Sequence, residues 1–153
     1  MGRHLRWYSE VAHSQKKYIM TVTTQWKEGL QFEATQEPAG SVLMDGDVKK
    51  GISPKALLLA GLAGCSAVDV VDILTKMRVP FTALSVVSSA EQTQDHPRVF
   101  TDIDLLYRIA TDGGNEEKVK KAIDLSLEKY CGVAAMLRKN SAIRYRLECV
   151  QPA

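Results

Sequence analysis

The chain has 153 residues, of which 45% are apolar and 25% charged, and its formal net charge is +2. This length is typical of one domain with its own hydrophobic core, and the composition is that of a globular protein. The small net charge and the absence of a crowded basic face exclude an electrostatic footprint for nucleic acid, so we expect no nucleic-acid partner.

Two features of the sequence bear on location and domain organisation. The longest nearly uncharged apolar run covers residues 56–68, whereas a membrane-spanning helix needs about 20 residues. Residues 1–17 are polar and basic and lack the apolar stretch of a secretory signal. The sequence therefore predicts a cytoplasmic protein without a membrane partner, made of a polar extension over 1–17 and a single domain over 18–153.

The cysteine and histidine positions argue against a metal site. Cys65, Cys131 and Cys149 are far apart in sequence, so no CxxC motif or zinc knuckle is present. An odd number of cysteines without an export signal also disfavours a disulfide framework. The three histidines are scattered. We expect neither a metal nor a cofactor.

The N-terminal part of the predicted domain is expected to form three strands. Residues 18–24 are rich in β-branched side chains, residues 29–35 alternate apolar with polar side chains, and residues 41–45 form a third apolar run. The link over 25–29 is short enough for a hairpin, and residues 45–47 are typical of a turn.

A long apolar helix follows these strands. Ser53 offers a capping hydroxyl and Pro54 suits the first helical turn, and the apolar pattern then extends to Met77. Because the first four turns are apolar on nearly every side, we expect protein to surround them. Gly61 and Gly64 keep the helix surface thin, which indicates that another element packs very close there.

The remaining elements are two strands, two helices and a final strand. Residues 81–92 and 99–110 are expected to pair around a turn at 94–97, and the second of these strands has one apolar and one polar face. Asn115 is predicted to cap a second helix that ends near Cys131 and Gly132. A short helix over residues 133–139 and a strand over residues 142–150 complete the chain. The class of fold is therefore α+β.

Two segments, AGLAGCSAVDVVDIL (60–74) and LSLEKYCGV (125–133), resemble the OsmC/Ohr family of thiol-dependent hydroperoxide reductases, in its OsmC-like branch. The resemblance covers residues 18–150, including the order of elements. It implies strongly curved antiparallel sheets wrapped around long central helices in an intertwined homodimer, with the active sites at the dimer interface.

The resemblance also implies roles for two residues. Cys65 would be the peroxidatic thiol that attacks an organic hydroperoxide, and Cys131 the resolving thiol that condenses with the resulting sulfenic acid. An external dithiol would reduce the disulfide. Cys149 has no counterpart in the family pattern, so we expect it to serve packing.

One departure from the family pattern keeps a second interpretation open. Where peroxidase members carry a Glu that holds an Arg beside the reactive thiol, this chain has Lys55, and no Arg occurs between Val22 and Arg78. Lys55 and Arg98 are candidate replacement cations. The alternative is a non-catalytic dimeric stress-response protein, or one that binds a small apolar ligand.

Overall fold

The computed structural model describes residues 18–152, so the expected extension over residues 1–17 lies outside the described part. The single domain expected over residues 18–153 stays a prediction. The helices and strands follow the expected order: β1 Thr23–Glu28, β2 Gln31–Gln36, β3 Gly40–Asp45, α1 Ala56–Lys76, β4 Ala83–Gln92, β5 Phe100–Ala110, α2 Glu116–Leu125, α3 Gly132–Leu137 and β6 Ala142–Val150.

The first sheet has the order β1-β2-β3 and is antiparallel throughout. The prediction for its first strand is wrong, because the strand begins at Thr23 and includes most of the segment that the sequence assigns to the hairpin link. The turn shortens to Gly29 and Leu30, since Gly29 adopts a φ of 50° and its carbonyl accepts a bond from the indole N–H of Trp26 at 3.0 Å.

Helix α1 begins two residues later than the sequence predicts and ends one residue earlier. The Ser53 hydroxyl accepts a hydrogen bond from the Ala56 N–H at 3.4 Å, so the expected capping side chain is used. At the other end Arg78 adopts a left-handed φ of 55°, which turns the chain away from the helix axis towards Pro80.

Only one side of α1 packs into the chain's own core. Leu62 and Leu74 are fully buried, whereas Val68 on the opposite side is 69% exposed. By length and composition α1 could cross a membrane, as core helices of globular proteins also could, and 22% of its most apolar window is buried within the chain. The expectation that protein surrounds the helix is therefore not met by a single chain.

The second sheet has the order β4-β5-β6, with α1 against β4 and with α2 and β5 sharing one buried cluster. Strands β4 and β5 are antiparallel, but β5 and β6 run parallel, so the expectation of antiparallel sheets is wrong for this pair. The reason is the connection: α2 and α3 lie between β5 and β6, and such a helical crossover returns the chain to the same end of the sheet.

The predicted apolar face of β5 is confirmed and forms the centre of the core. Ile103, Leu105, Tyr107 and Ile109 alternate along the strand, and each is at most 1% exposed. They pack against α1 and α2 through a cluster of buried residues that includes Leu62, Val70, Leu74, Val119, Ala122, Ile123 and Leu127.

The second helix differs from the prediction at both ends. Asn115 occupies the position before α2, but its side chain donates to the Thr111 hydroxyl at 3.2 Å and makes no capping bond. At the other end α2 stops at Leu125, and residues 126–130 form a π-helical turn before Cys131. This turn replaces the continuous helix that the spacing of apolar residues predicts.

The loop after β3 depends on one buried carboxylate. Asp45 accepts backbone N–H bonds from Asp47 at 2.9 Å, Lys50 at 3.0 Å and Lys49 at 3.2 Å. These backbone donors lower the pKa of Asp45 from its ordinary value of 3.8. Stabilisation from Asp45 is therefore complete above that ordinary value and is lost as the pH falls through the folded-state pKa.

We expect Asp45→Asn to lower the Tm at neutral pH, because an amide nitrogen cannot accept the two bonds made at Oδ2. We also expect this variant to lose less stability on acidification than the wild type. Thermal denaturation between about pH 7 and about pH 3 measures both effects. Asp47→Asn is the matched control, and identical pH profiles for the two variants would contradict the role of Asp45.

Candidate active site

Cys65 lies in the third turn of α1, where it is half-buried and packs against the core. It stands about 15 Å along the helix axis from Lys55, which is too far from the helix start for the helix dipole to act strongly on the thiol. Contrary to expectation, a Cβ built on Gly61 or Gly64 meets nothing within 4 Å. The helix surface beside Cys65 is therefore open in the single chain.

Cys131 lies between the π-helical turn and α3, and only 2% of its surface is exposed. Its backbone N–H donates to the carbonyl of Ser126 at 2.8 Å, which closes the π-helical turn. Its sulfur accepts a hydrogen bond from the Ala134 N–H at 3.4 Å. The backbone on both sides therefore fixes the direction in which this thiol points.

Cys65 packs against the buried cluster that contains Cys131, and its side chain is near enough to act on the Cys131 thiol. Burial raises the pKa of the Cys131 thiol to about 11, the nearby Cys65 thiol acts in the same direction, and the Ala134 N–H opposes both. Both sulfurs are free thiols in the structure. The fold thus brings together the two residues that the sequence singled out, with Cys131 protonated at neutral pH.

A set of buried polar side chains near the two cysteines was not predicted from the sequence. Ser66, next to Cys65, hydrogen-bonds through its hydroxyl to Tyr107 of β5, and both residues are fully buried. Burial raises the pKa of Tyr107 to about 12, so its hydroxyl stays protonated. The signal was present in the sequence, because Ser66 is a lone hydroxyl in an apolar run and Tyr107 lies on the apolar face of β5.

A second polar group joins α1 to the π-helical turn. The hydroxyl of Ser126, also fully buried, lies 3.0 Å from Oδ2 of Asp69 and 3.2 Å from the backbone carbonyl of Ser66. In this chain Asp69 accepts a hydrogen bond from Ser126.

Lys55, one of the two candidate cations, directs its ammonium to the ends of β4 and β5, and it meets the backbone of the other candidate, Arg98. The Lys55 ammonium donates to Oε1 of Gln92 at 2.7 Å and to the backbone carbonyl of Arg98 at 2.8 Å, and it stands 5.7 Å from the centre of the Phe100 ring. These contacts tie the start of α1 to the ends of β4 and β5. Lys55 therefore stabilises the fold where the family pattern has an acidic residue.

Two grooves border α1, the first beside Cys65 and the second along the C-terminal half of the helix. One, of about 500 Å³, is almost entirely apolar and lies between α1 and β4, lined by Ala63, Gly64, Ala67, Val68, Val71, Leu84, Ser85 and Val86. The other, of about 670 Å³, lies between α1 and α2 and mixes charged with apolar side chains: Asp69, Asp72, Ile73, Lys76, Met77, Lys121, Leu125 and Tyr130. Over residues 18–152, no group of His, Cys, Asp and Glu side chains could hold a metal ion.

The chain belongs to the OsmC-like protein family, whose family model matches residues 45–146. It is similar to protein YhfA of Escherichia coli, with 38% identity over 132 residues that cover 86% of this chain and 98% of that relative. The fold prediction made from the two cysteine-containing segments is therefore confirmed at the level of the family.

Solved structures share this fold at low sequence identity. An OsmC-like protein from Mycoplasma pneumoniae has a TM-score of 0.77 at 18% identity and covers 88% of this chain and 99% of its own. The organic hydroperoxide resistance protein OhrB of Bacillus subtilis has a TM-score of 0.62 at 14% identity, covering 86% of this chain and 98% of its own. These two likenesses establish the fold alone.

We expect iodoacetamide to modify Cys65 well before Cys131, because Cys131 is buried and its raised pKa keeps its thiol protonated at about pH 8. The Cys131 rate should rise about tenfold for each pH unit between about pH 7 and about pH 9. Peptide mass spectrometry measures both rates, with half-buried Cys149 as the internal control. Equal labelling of Cys65 and Cys131 at about pH 8 would contradict the geometry.

Proposed function

We propose that the protein is a thiol-dependent hydroperoxide reductase that uses Cys65 and Cys131 as a redox pair. The observation that carries this proposal is the packing of Cys65 against the buried cluster that contains Cys131, a residue 66 positions further along the sequence. Membership of the OsmC-like family, and likeness to proteins named for organic hydroperoxide resistance, support a function in peroxide stress.

The first step is the attack of the Cys65 thiolate on the O–O bond of a hydroperoxide. The bond breaks, one oxygen stays on Cys65 as a sulfenic acid, and the proton that Cys65 gave up passes to the alkoxide, which leaves as an alcohol. Cys65 suits this role because it is half-buried, whereas Cys131 is covered and protonated. The apolar surroundings favour an organic hydroperoxide over hydrogen peroxide.

The second step joins the two sulfurs. The Cys131 sulfur attacks the Cys65 sulfenic acid, a disulfide forms, and the displaced hydroxide leaves as water with the Cys131 proton. An external dithiol then reduces the disulfide and is itself oxidised. No cofactor takes part in this cycle. We place the reaction in the cytoplasm, where dithiol reductants are available.

One observation favours a second candidate function. Because the Lys55 ammonium is bonded to Gln92 and Arg98, the position of the family's acidic residue supplies no activating group to Cys65 within the chain. The second candidate is therefore a non-catalytic stress-response protein that binds a small apolar molecule beside Cys65.

A thiol count separates the two functions. One equivalent of cumene hydroperoxide should reduce the free thiols of the wild type from three to one per chain, leaving Cys149. Cys131→Ser should lose one thiol and hold a Cys65 sulfenic acid that dimedone traps. Cys65→Ser should lose none, and the matched control Cys149→Ser should still lose two.

An unchanged thiol count in the wild type would remove the reductase and leave the binding protein. Undiminished peroxide consumption by Cys65→Ser would reject the assignment of Cys65 as the attacking thiol.

We further propose that two copies of the chain form a homodimer through the exposed side of α1. This side carries Gly61, Gly64, Val68 and Val71, and the first sheet makes only weak contact with the rest of its own chain. Packing this apolar stripe of α1 against a second copy would remove its side chains from water. It would also close the open space beside Cys65.

Light scattering after gel filtration should give twice the chain mass of 16.9 kDa for the wild type. We expect Val68→Asp to shift the mass towards one chain, because a carboxylate would be buried in the interface. Met136→Asp is the control, since Met136 is 64% exposed but lies on α3. A monomeric wild type would overturn the homodimer.

A further inference from the structure

The π-helical turn decides which way Cys131 points. In an α-helix, each residue donates its N–H to the carbonyl four positions earlier, whereas Cys131 donates to Ser126, five positions earlier. One extra residue in the turn shifts Cys131 by about 100° around the helix axis relative to a continuous α-helix, and the chain leaves the helix at Cys131, where the backbone is extended. Tyr130 and Gly132 are exposed on either side of Cys131, so the turn selects Cys131 as the residue that faces inward.

Ser126 is the residue through which this turn is attached to α1. Its carbonyl accepts the Cys131 N–H at 2.8 Å, and its hydroxyl lies 3.0 Å from the Asp69 carboxylate and 3.2 Å from the Ser66 carbonyl. Ser66 and Asp69 lie on the turn of α1 that comes directly after Cys65. A single residue therefore connects the backbone that orients Cys131 with the helix that carries Cys65.

The hydroxyl of Ser126 is used between helices rather than within one. A serine inside a helix commonly bonds back to a carbonyl of its own preceding turn, which bends that helix. Ser126 is fully buried and reaches two acceptors on α1 instead. A buried hydroxyl with partners on one neighbouring element specifies a single relative position of the two elements.

We propose that Ser126, with Asp69 as its acceptor, is a positioning residue that holds the Cys131 sulfur against Cys65 for disulfide formation. This inference rests on the proposed redox pair, and it names a residue that acts on the second step alone. Attack on the peroxide involves only the Cys65 sulfur, so that step does not depend on the turn. Disulfide formation needs both sulfurs in line, and a shift of the turn slows it.

The test uses 4,4′-dithiodipyridine on full-length protein carrying Cys149→Ala, so that only two thiols react. The first pyridinethione is released when Cys65 forms a mixed disulfide, and the second when Cys131 displaces the remaining pyridinethione to form the protein disulfide. We expect Ser126→Ala to leave the first phase within about twofold of its parent and to slow the second about tenfold or more.

Ser141→Ala is the matched control. Ser141 is 5% exposed, and its hydroxyl donates to the Phe100 carbonyl at 2.8 Å, so the variant loses a similar buried bond away from the thiols. Asp69→Asn and Asp69→Ala form a second pair, which remains informative if Ser126→Ala does not fold. Both remove the charge, but only Asn keeps an oxygen for the Ser126 hydroxyl, so the second phase should be faster in Asp69→Asn.

The outcomes are distinct. The inference is overturned if the second phase is unchanged in Ser126→Ala, or if it is slowed equally in Ser141→Ala. If Ser126→Ala fails to fold, equal second phases in the two Asp69 variants overturn it. Selective slowing in Ser126→Ala supports it. If that slowing is found while no variant consumes cumene hydroperoxide, the proposed peroxidase activity fails and the positioning role of Ser126 stands.

Discussion

The packing of Cys65 against the buried cluster that contains Cys131 is the feature on which the rest of the site depends. It exists because α1 packs against the junction between the π-helical turn and α3, with the apolar face of β5 beneath both. Burial at this junction raises the pKa of Cys131 to about 11. Under the proposed mechanism, the thiol therefore keeps its proton until the sulfenic acid forms on Cys65. The proposed division of roles between the two sulfurs follows from this difference in environment.

Hydrogen bonds rather than apolar packing fix the fine geometry around the thiols. Apolar side chains of suitable size fill a core in several ways, whereas a buried hydroxyl is costly unless its partner stands at one distance and angle. Ser126 with Asp69 meets this condition, and the Ser66 hydroxyl next to Cys65 is paired with Tyr107. Among the residues that the structure describes, every buried side-chain nitrogen and oxygen has a partner.

At position 55 the family pattern has a Glu that takes part in activating the thiol. In this chain the position is occupied by Lys55, which stabilises the fold instead. Lys55 joins the start of α1 to the ends of β4 and β5, and it lies about 15 Å along the axis from Cys65. The exposed stripe of α1 beside Cys65 is also left without a partner in the single chain. Under the proposed homodimer, a second copy would cover this stripe and complete the surroundings of the reactive sulfur.

The sequence by itself determined the α+β class, the order of the elements, the apolar face of β5 and the two cysteines of interest. These features follow from local hydrophobic periodicity and from short sequence motifs. Only the tertiary structure decided the start of β1, the parallel pairing of β6, the π-helical turn and the polar contacts of Ser126. The pairing of β6 and the contacts of Ser126 depend on hydrogen bonds between segments far apart in the chain, which a local pattern does not encode. The start of β1 and the π-helical turn depend on which backbone hydrogen bonds form, and the spacing of apolar residues does not fix that choice.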